Sequence, residues 1–136
     1  MKRAVVVLFV LLQAFLIFVL RHDTLDLDVG PNTQPTDNIH QGNRVGQTFV
    51  SGTDAFSRID VAMGTHGRRN DGTVFFRLWE ETPERRLLRE TSFKAAEVRN
   101  NRFQSVRFDT VRGAAGRRFY FVLSSADSTD GNSVCA

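Results

Sequence analysis

The chain has 136 residues, a formal net charge of +3 and a single cysteine, Cys135. One cysteine cannot form an internal disulfide, so a fold held by a disulfide framework is excluded. The positive and negative charges are interspersed, whereas a nucleic-acid-binding domain carries a dense basic stripe, usually with interleaved aromatic residues. The composition therefore predicts a protein with no nucleic-acid partner and with enough chain for one hydrophobic core.

The N-terminal segment is apolar from residue 4 to residue 20, follows Lys2 and Arg3, and is interrupted only by Gln13. As an α-helix it would be about 25 Å long, which is short for a bilayer core of about 30 Å. The residues after it contain no small-residue cleavage pattern, so an uncleaved signal anchor is favoured over a cleaved signal peptide. The positive-inside rule then predicts a single-pass cell-membrane protein that contacts lipid through residues 4–20 and has its C-terminal domain on the outer face. Cleavage would instead give a secreted protein.

Three regions follow from the hydropathy and turn pattern: a signal-anchor or transmembrane helix at 1–20, a linker at 21–43 and a β-rich domain at 44–136. The linker contains two of the three prolines and no sustained hydrophobic period, which is typical of a tether or of an edge strand laid on the domain.

The domain at 44–136 alternates short apolar segments with turn residues. Strands are predicted at 45–50, 58–63, 73–80, 86–93, 103–109, 117–124 and 132–136. Residues 94–101 have helical character over about two turns, and residues 119–123 are apolar on both faces, as a central strand would be. About seven short strands without intervening long helices predict an all-β, antiparallel β-sandwich or barrel.

Five segments carry a resemblance to a known type of domain: VGQTFVS at 45–51, SRIDV at 57–61, NDGTVFFRLWE at 70–80, FDTVRGAAGRRFYFVLSS at 108–125 and DGNSV at 130–134. With them the chain resembles an extracytoplasmic jelly-roll-like β-sandwich domain of bacterial membrane proteins of the glycosyltransferase or polysaccharide-assembly type. The resemblance implies a binding module with a glycan, envelope polymer or membrane protein as its partner. Because the last strand is shorter than in such domains, the alternative is an N-terminal accessory domain, or fragment, of a larger glycosyltransferase-like membrane protein.

The strand predicted at 73–80 offers the first candidate site. Alternation places Phe75, Arg77 and Trp79 on one face of that strand. Aromatic rings can stack on the C–H faces of sugars, and an arginine can bind hydroxyls or pair with acidic sugars, so these residues form a candidate carbohydrate platform. The alternative is that the two rings belong to a second apolar layer and that Arg77 pairs with a carboxylate.

A second candidate is the loop at 64–72, in which Arg68 and Arg69 could hold a phosphate or a uronate; the alternative is a solvated loop end. The polar run at 125–132 is rich in oxygen ligands but lacks the spacing of an EF-hand. The histidines are isolated, zinc-ligand spacing is missing, and no glycine-rich loop opens a helix. The sequence therefore predicts a module that is not an enzyme and that needs no cofactor or metal.

Overall fold

A computed structural model describes Gln13 and residues 37–136. Apart from Gln13, the predicted anchor at 4–20 lies outside these residues, as does most of the predicted linker. The part of the chain that is described contains no helix that is both long and apolar enough to cross a membrane. The described residues form eight strands and one short 3₁₀ helix. The strands are β1 (Asn38–Ile39), β2 (Arg44–Val50), β3 (Ala55–Met63), β4 (Thr73–Glu80), β5 (Arg86–Lys94), β6 (Arg102–Arg112), β7 (Arg118–Ser124) and β8 (Val134–Cys135), and the 3₁₀ helix is Ala95–Glu97.

All strand pairs are antiparallel, and they form two layers. One layer is a four-stranded sheet in the order β2-β7-β4-β5. The other contains the pairs β1-β8 and β3-β6, which are joined where Gly64, directly after β3, exchanges backbone hydrogen bonds of 3.0 and 3.1 Å with Cys135 of β8. The fold is therefore an all-β, sandwich-like arrangement, as the strand pattern predicts.

Aromatic rings join the two layers through a common core. The Phe76 ring of β4 stacks on Phe108 of β6 at a centroid distance of 5.8 Å and on Phe121 of β7 at 5.7 Å. Phe56 of β3 meets Phe119 of β7 edge-on at 5.2 Å. Since Phe76 and Phe119 are completely buried, these contacts fix the inner face of the four-stranded sheet and leave its other face outside.

Arg89 on β5 closes one open side of the sandwich. Its guanidinium donates hydrogen bonds to the main-chain oxygens of Asp109 (2.7 Å) and Thr110 (2.9 Å) on β6. β5 is the edge strand of one layer and β6 belongs to the other, so the side chain ties two strand edges that backbone hydrogen bonds do not join. Charged side chains on edge strands also discourage pairing with other chains.

The predicted strands are found with small shifts in their ends, and one local feature differs. The prediction of about two helical turns at 94–101 is wrong, because only Ala95–Glu97 is helical. Ala95 and Val98 are both buried, and a single turn suffices to lead the chain from one layer to the other. β1 lies within the range predicted as linker, where an edge strand laid on the domain was one of the two alternatives, and it places Ile39 in the core.

Candidate functional site

Strand β4 alternates between the core and the outer face of the four-stranded sheet. Its inward side chains, Val74, Phe76 and Leu78, are completely buried. The candidate residues Phe75, Arg77 and Trp79 have the opposite parity and are half-buried on the outer face. Because β4 lies between β7 and β5, these three side chains are in the interior of the sheet surface, away from its edges.

The Trp79 ring has an aromatic neighbour that sequence reasoning missed. Tyr120 of β7 lies directly opposite Trp79 in the strand register, with ring centroids 6.1 Å apart and ring planes inclined by 32°. On the other side of Trp79 the register partner is Leu87 of β5, whose exposed fraction is 48%. The outer face thus carries a continuous row of apolar surface across three strands.

Gly46 of the edge strand β2 lies next to Tyr120 and makes room for it. A Cβ atom at Gly46 would be 2.8 Å from the Tyr120 hydroxyl oxygen and 2.7 Å from the main-chain oxygen of Phe121. The tyrosine therefore leans over the backbone of β2, where any larger residue would displace it. A glycine inside a strand often marks such a close approach. Gly46 was therefore the signal in the sequence that a large side chain, here Tyr120, lies over β2.

Arg77 is paired with a carboxylate. Its Nε donates to Glu90, the residue opposite it on β5, and the two side chains are 42% and 47% exposed. A second pair, Arg118 with Glu81 at 3.7 Å, lies at the end of the same sheet. Two arginines beside the aromatic residues are therefore paired with carboxylates of the protein.

The second predicted pair, Arg68 and Arg69, lies in the loop after β3. Arg68 donates through Nε to Asn70 Oδ1 (3.0 Å) and through Nη2 to the main-chain oxygen of Asp130 (3.0 Å), while Arg69 is exposed. Asn70 is buried and donates to the main-chain oxygen of Thr65 at 3.1 Å. Among the described residues, Arg68 thus holds two loops together, whereas Phe75, Arg77 and Trp79 share a sheet face.

The polar loop after β7 uses its oxygen atoms in hydrogen bonds. Asp127 Oδ1 accepts from the main-chain N–H of Thr73 (2.8 Å) and from the Ser125 hydroxyl (3.0 Å). The Thr73 hydrogen bond is the main reason that the pKa of Asp127 is below its ordinary value, while burial opposes the shift. Asn132 Oδ1 accepts from the N–H of Asp71 at 2.8 Å. Within residues 37–136, no three His, Cys, Asp or Glu side chains form a group that could hold a metal ion.

An open cleft of about 400 Å³ lies at the β4–β5 turn. It is lined by Glu80, Thr82, Pro83, Glu84, Arg86 and Arg117. The Glu80 carboxylate is buried between Arg117, which donates to Oε1, and Arg86, which donates to Oε2 at 3.0 Å. The Arg117 hydrogen bond is the largest cause that lowers the pKa of Glu80, and burial opposes it. Glu80 is therefore ionised and held by two guanidinium groups. Its lowered pKa is the opposite of the raised pKa that the general acid of a glycosidase requires.

Models of protein families, curated proteins and solved structures each give no match. The outer face of the β2-β7-β4-β5 sheet, with its paired rings Trp79 and Tyr120, remains the candidate binding surface.

Proposed function

We propose that this chain is a membrane-tethered, extracytoplasmic binding module that holds a carbohydrate or envelope polymer on the outer face of its four-stranded sheet. The observation that carries the proposal is the half-buried pair of Trp79 and Tyr120, which lie side by side on adjacent central strands. Phe75 adds a third ring on the same face. Rings on such a surface can stack on the apolar faces of sugar rings, while nearby polar side chains bind the hydroxyl groups.

The spacing of the rings favours an extended ligand. Phe75 and Trp79 are four residues apart on β4, which corresponds to about 13 Å along a strand. A ligand that covers both rings must therefore be longer than one sugar unit. Because the strands hold the rings in place before binding, little conformational entropy is lost on association.

The strand order supports the finer proposal of a jelly roll. The layers have the orders β2-β7-β4-β5 and, through the Gly64–Cys135 bridge, β1-β8-β3-β6. Every connection except β4–β5 leads from one layer to the other, and an eight-stranded double sheet is the jelly-roll arrangement, which occurs in lectin domains. The fold alone is weak support for sugar binding, so the proposal depends mainly on the rings.

The proposal is tested by measuring glycan binding to the full-length chain by isothermal titration calorimetry. We expect Trp79→Ala to weaken binding of a polysaccharide ligand about tenfold or more, which corresponds to about 1.4 kcal/mol. Phe103→Ala is the matched control, because Phe103 is an aromatic residue of the other layer with an exposed fraction of 73%. If Trp79→Ala and Phe103→Ala bind equally well, the platform is not the binding site.

The membrane tether is part of the same proposal and has its own test. The apolar segment at residues 4–20 would raise the local concentration of the domain at the membrane surface. We expect the full-length chain to sediment with membranes and to remain there after alkaline extraction. Release by alkaline extraction, or a mature N-terminus beyond residue 20, would contradict the tether and leave the binding face to be judged separately.

A further inference from the structure

The charged groups of the proposed platform are arranged as a neutral pair. Arg77 lies between Phe75 and Trp79 on β4, where a free guanidinium would attract an acidic sugar. Its Nε is bonded to Glu90, and the two residues are direct register partners on β4 and β5. Because backbone hydrogen bonds between β4 and β5 fix this register, Arg77 and Glu90 are held opposite each other.

The row of the sheet that contains the Trp79 and Tyr120 rings carries no charge. Trp79 and Tyr120 are flanked in their row by Thr48 on β2 and Leu87 on β5, which are both uncharged. The other cations of the outer face lie in other rows. Arg118 pairs with Glu81, Lys94 donates to the Thr73 hydroxyl, and Arg44 of the edge strand β2 lies in the row of Phe75. Along the strands, the row of Arg44 is about 13 Å and the row of Lys94 about 20 Å from the row of Trp79. Both distances are too long for an ion pair with a sugar that stacks on Trp79.

We infer that the platform selects neutral glycans and discriminates against polymers that carry uronates; this inference rests on the proposed function. A uronate carboxylate at Arg77 would have to displace Glu90 or lie beside it, and like charges in contact are unfavourable. A neutral hydroxyl is both donor and acceptor, so it can use the remaining N–H groups of Arg77 and a Glu90 oxygen without breaking the pair. The same residues thus reject one class of ligand and accept the other.

The test compares four hexasaccharide probes on the full-length chain by calorimetry: cellohexaose, xylohexaose, mannohexaose and hexagalacturonate. We expect at least one of the neutral probes to bind at least about tenfold more tightly than hexagalacturonate. In Glu90→Gln, the guanidinium of Arg77 faces an uncharged partner, and we expect the affinity for hexagalacturonate relative to the neutral probes to rise about tenfold. The thermal transition of Glu90→Gln provides the folding control, since an exposed ion pair contributes little stability.

The possible results separate this inference from the proposal on which it rests. Preferential binding of hexagalacturonate by the wild-type chain would overturn the neutral-ligand inference but would still support the platform as the binding site. The same holds if Glu90→Gln folds normally and its selectivity does not change. Failure of all four probes to bind would count against the platform itself, and the inference would fall with it.

Discussion

Gly46→Ala is expected to displace Tyr120 and so to disturb the proposed binding face from beneath. The added Cβ would lie 2.7 Å from the Phe121 main-chain oxygen, 2.8 Å from the Tyr120 hydroxyl oxygen and 3.0 Å from its Cε2. The tyrosine can move, but the main-chain oxygen belongs to the central strand β7. Overpacking of this kind destabilises by about 1–3 kcal/mol. Removing a strand glycine returns about 0.5–1 kcal/mol of backbone entropy, so the net loss should lie between about 0 and 2.5 kcal/mol and be centred near 1 kcal/mol.

The assay uses the only tryptophan and the only tyrosine of the chain, Trp79 and Tyr120. For a domain of about 100 residues, a loss of 1 kcal/mol lowers the Tm by roughly 4–8 °C. We therefore expect Gly46→Ala to lower the Tm by about 4–8 °C and to change the near-ultraviolet circular dichroism, which here reports chiefly on the Trp79–Tyr120 pair. Gly131→Ala is the matched control, because a Cβ at Gly131 meets nothing within 4 Å.

The coupling between Gly46 and Tyr120 gives a stricter test of the mechanism. In the Tyr120→Ala background, two of the three close contacts disappear, so Gly46→Ala should cost less there than in the wild-type chain. Contacting residues commonly show interaction energies of about 0.5–3 kcal/mol in such double-mutant cycles. An unchanged Tm and spectrum in Gly46→Ala, or an additive cycle, would refute the close approach of the tyrosine to β2.

Two further predictions concern the core and the ion-pair cleft. Phe76→Ala removes a completely buried ring that joins both layers and should lower the free energy of unfolding in urea by about 3–5 kcal/mol; Phe103→Ala is the exposed control, and equal losses would contradict the assignment of the core. Because the pKa of Glu80 is lowered in the folded chain, its contribution to stability is present above the ordinary pKa of a glutamate and is lost as the pH falls through the folded value. Glu80→Gln should therefore be less stable than wild type at pH 7 and should approach the stability of wild type at acidic pH. Glu81→Gln, whose ion pair is more exposed, is the control and should differ little from wild type at either pH. Parallel curves of stability against pH for Glu80→Gln and wild type would contradict this prediction.

The sequence predicts well what depends on neighbouring residues. The bounds of β4 agree with the predicted strand 73–80, because turn residues flank this segment on both sides. The sequence did not specify which face of β4 is buried, since both faces carry aromatic residues. β7 is central, as its two-sided apolar run predicts. The short β1 was less visible, since Ile39 is its only buried residue and a two-residue strand has no period to detect.

Contacts between strands could not be predicted in the same way. Tyr120 becomes the neighbour of Trp79 only because β7 lies beside β4, and that order is a property of the whole fold. The Glu90 partner of Arg77 depends on the register of the β4–β5 hairpin, which contains an irregularity between Leu78 and Trp79. The spacing of residues in the sequence does not reveal such a bulge. The sequence alone therefore does not decide whether Arg77 has a carboxylate partner.

The placement of the platform on central strands determines which mutations should affect binding. The rings belong to β4 and β7, each paired on both sides, whereas Arg68 and Asn70 hold a loop by hydrogen bonds at one end of the sandwich. A site on strands is pre-organised and does not need an ordered loop to receive its ligand. Loop substitutions such as Arg69→Ala, at an exposed position, should therefore leave glycan affinity unchanged even where they alter local stability. A strong decrease in glycan affinity in Arg69→Ala would instead indicate that the ligand binds at the loop end and not on the sheet face.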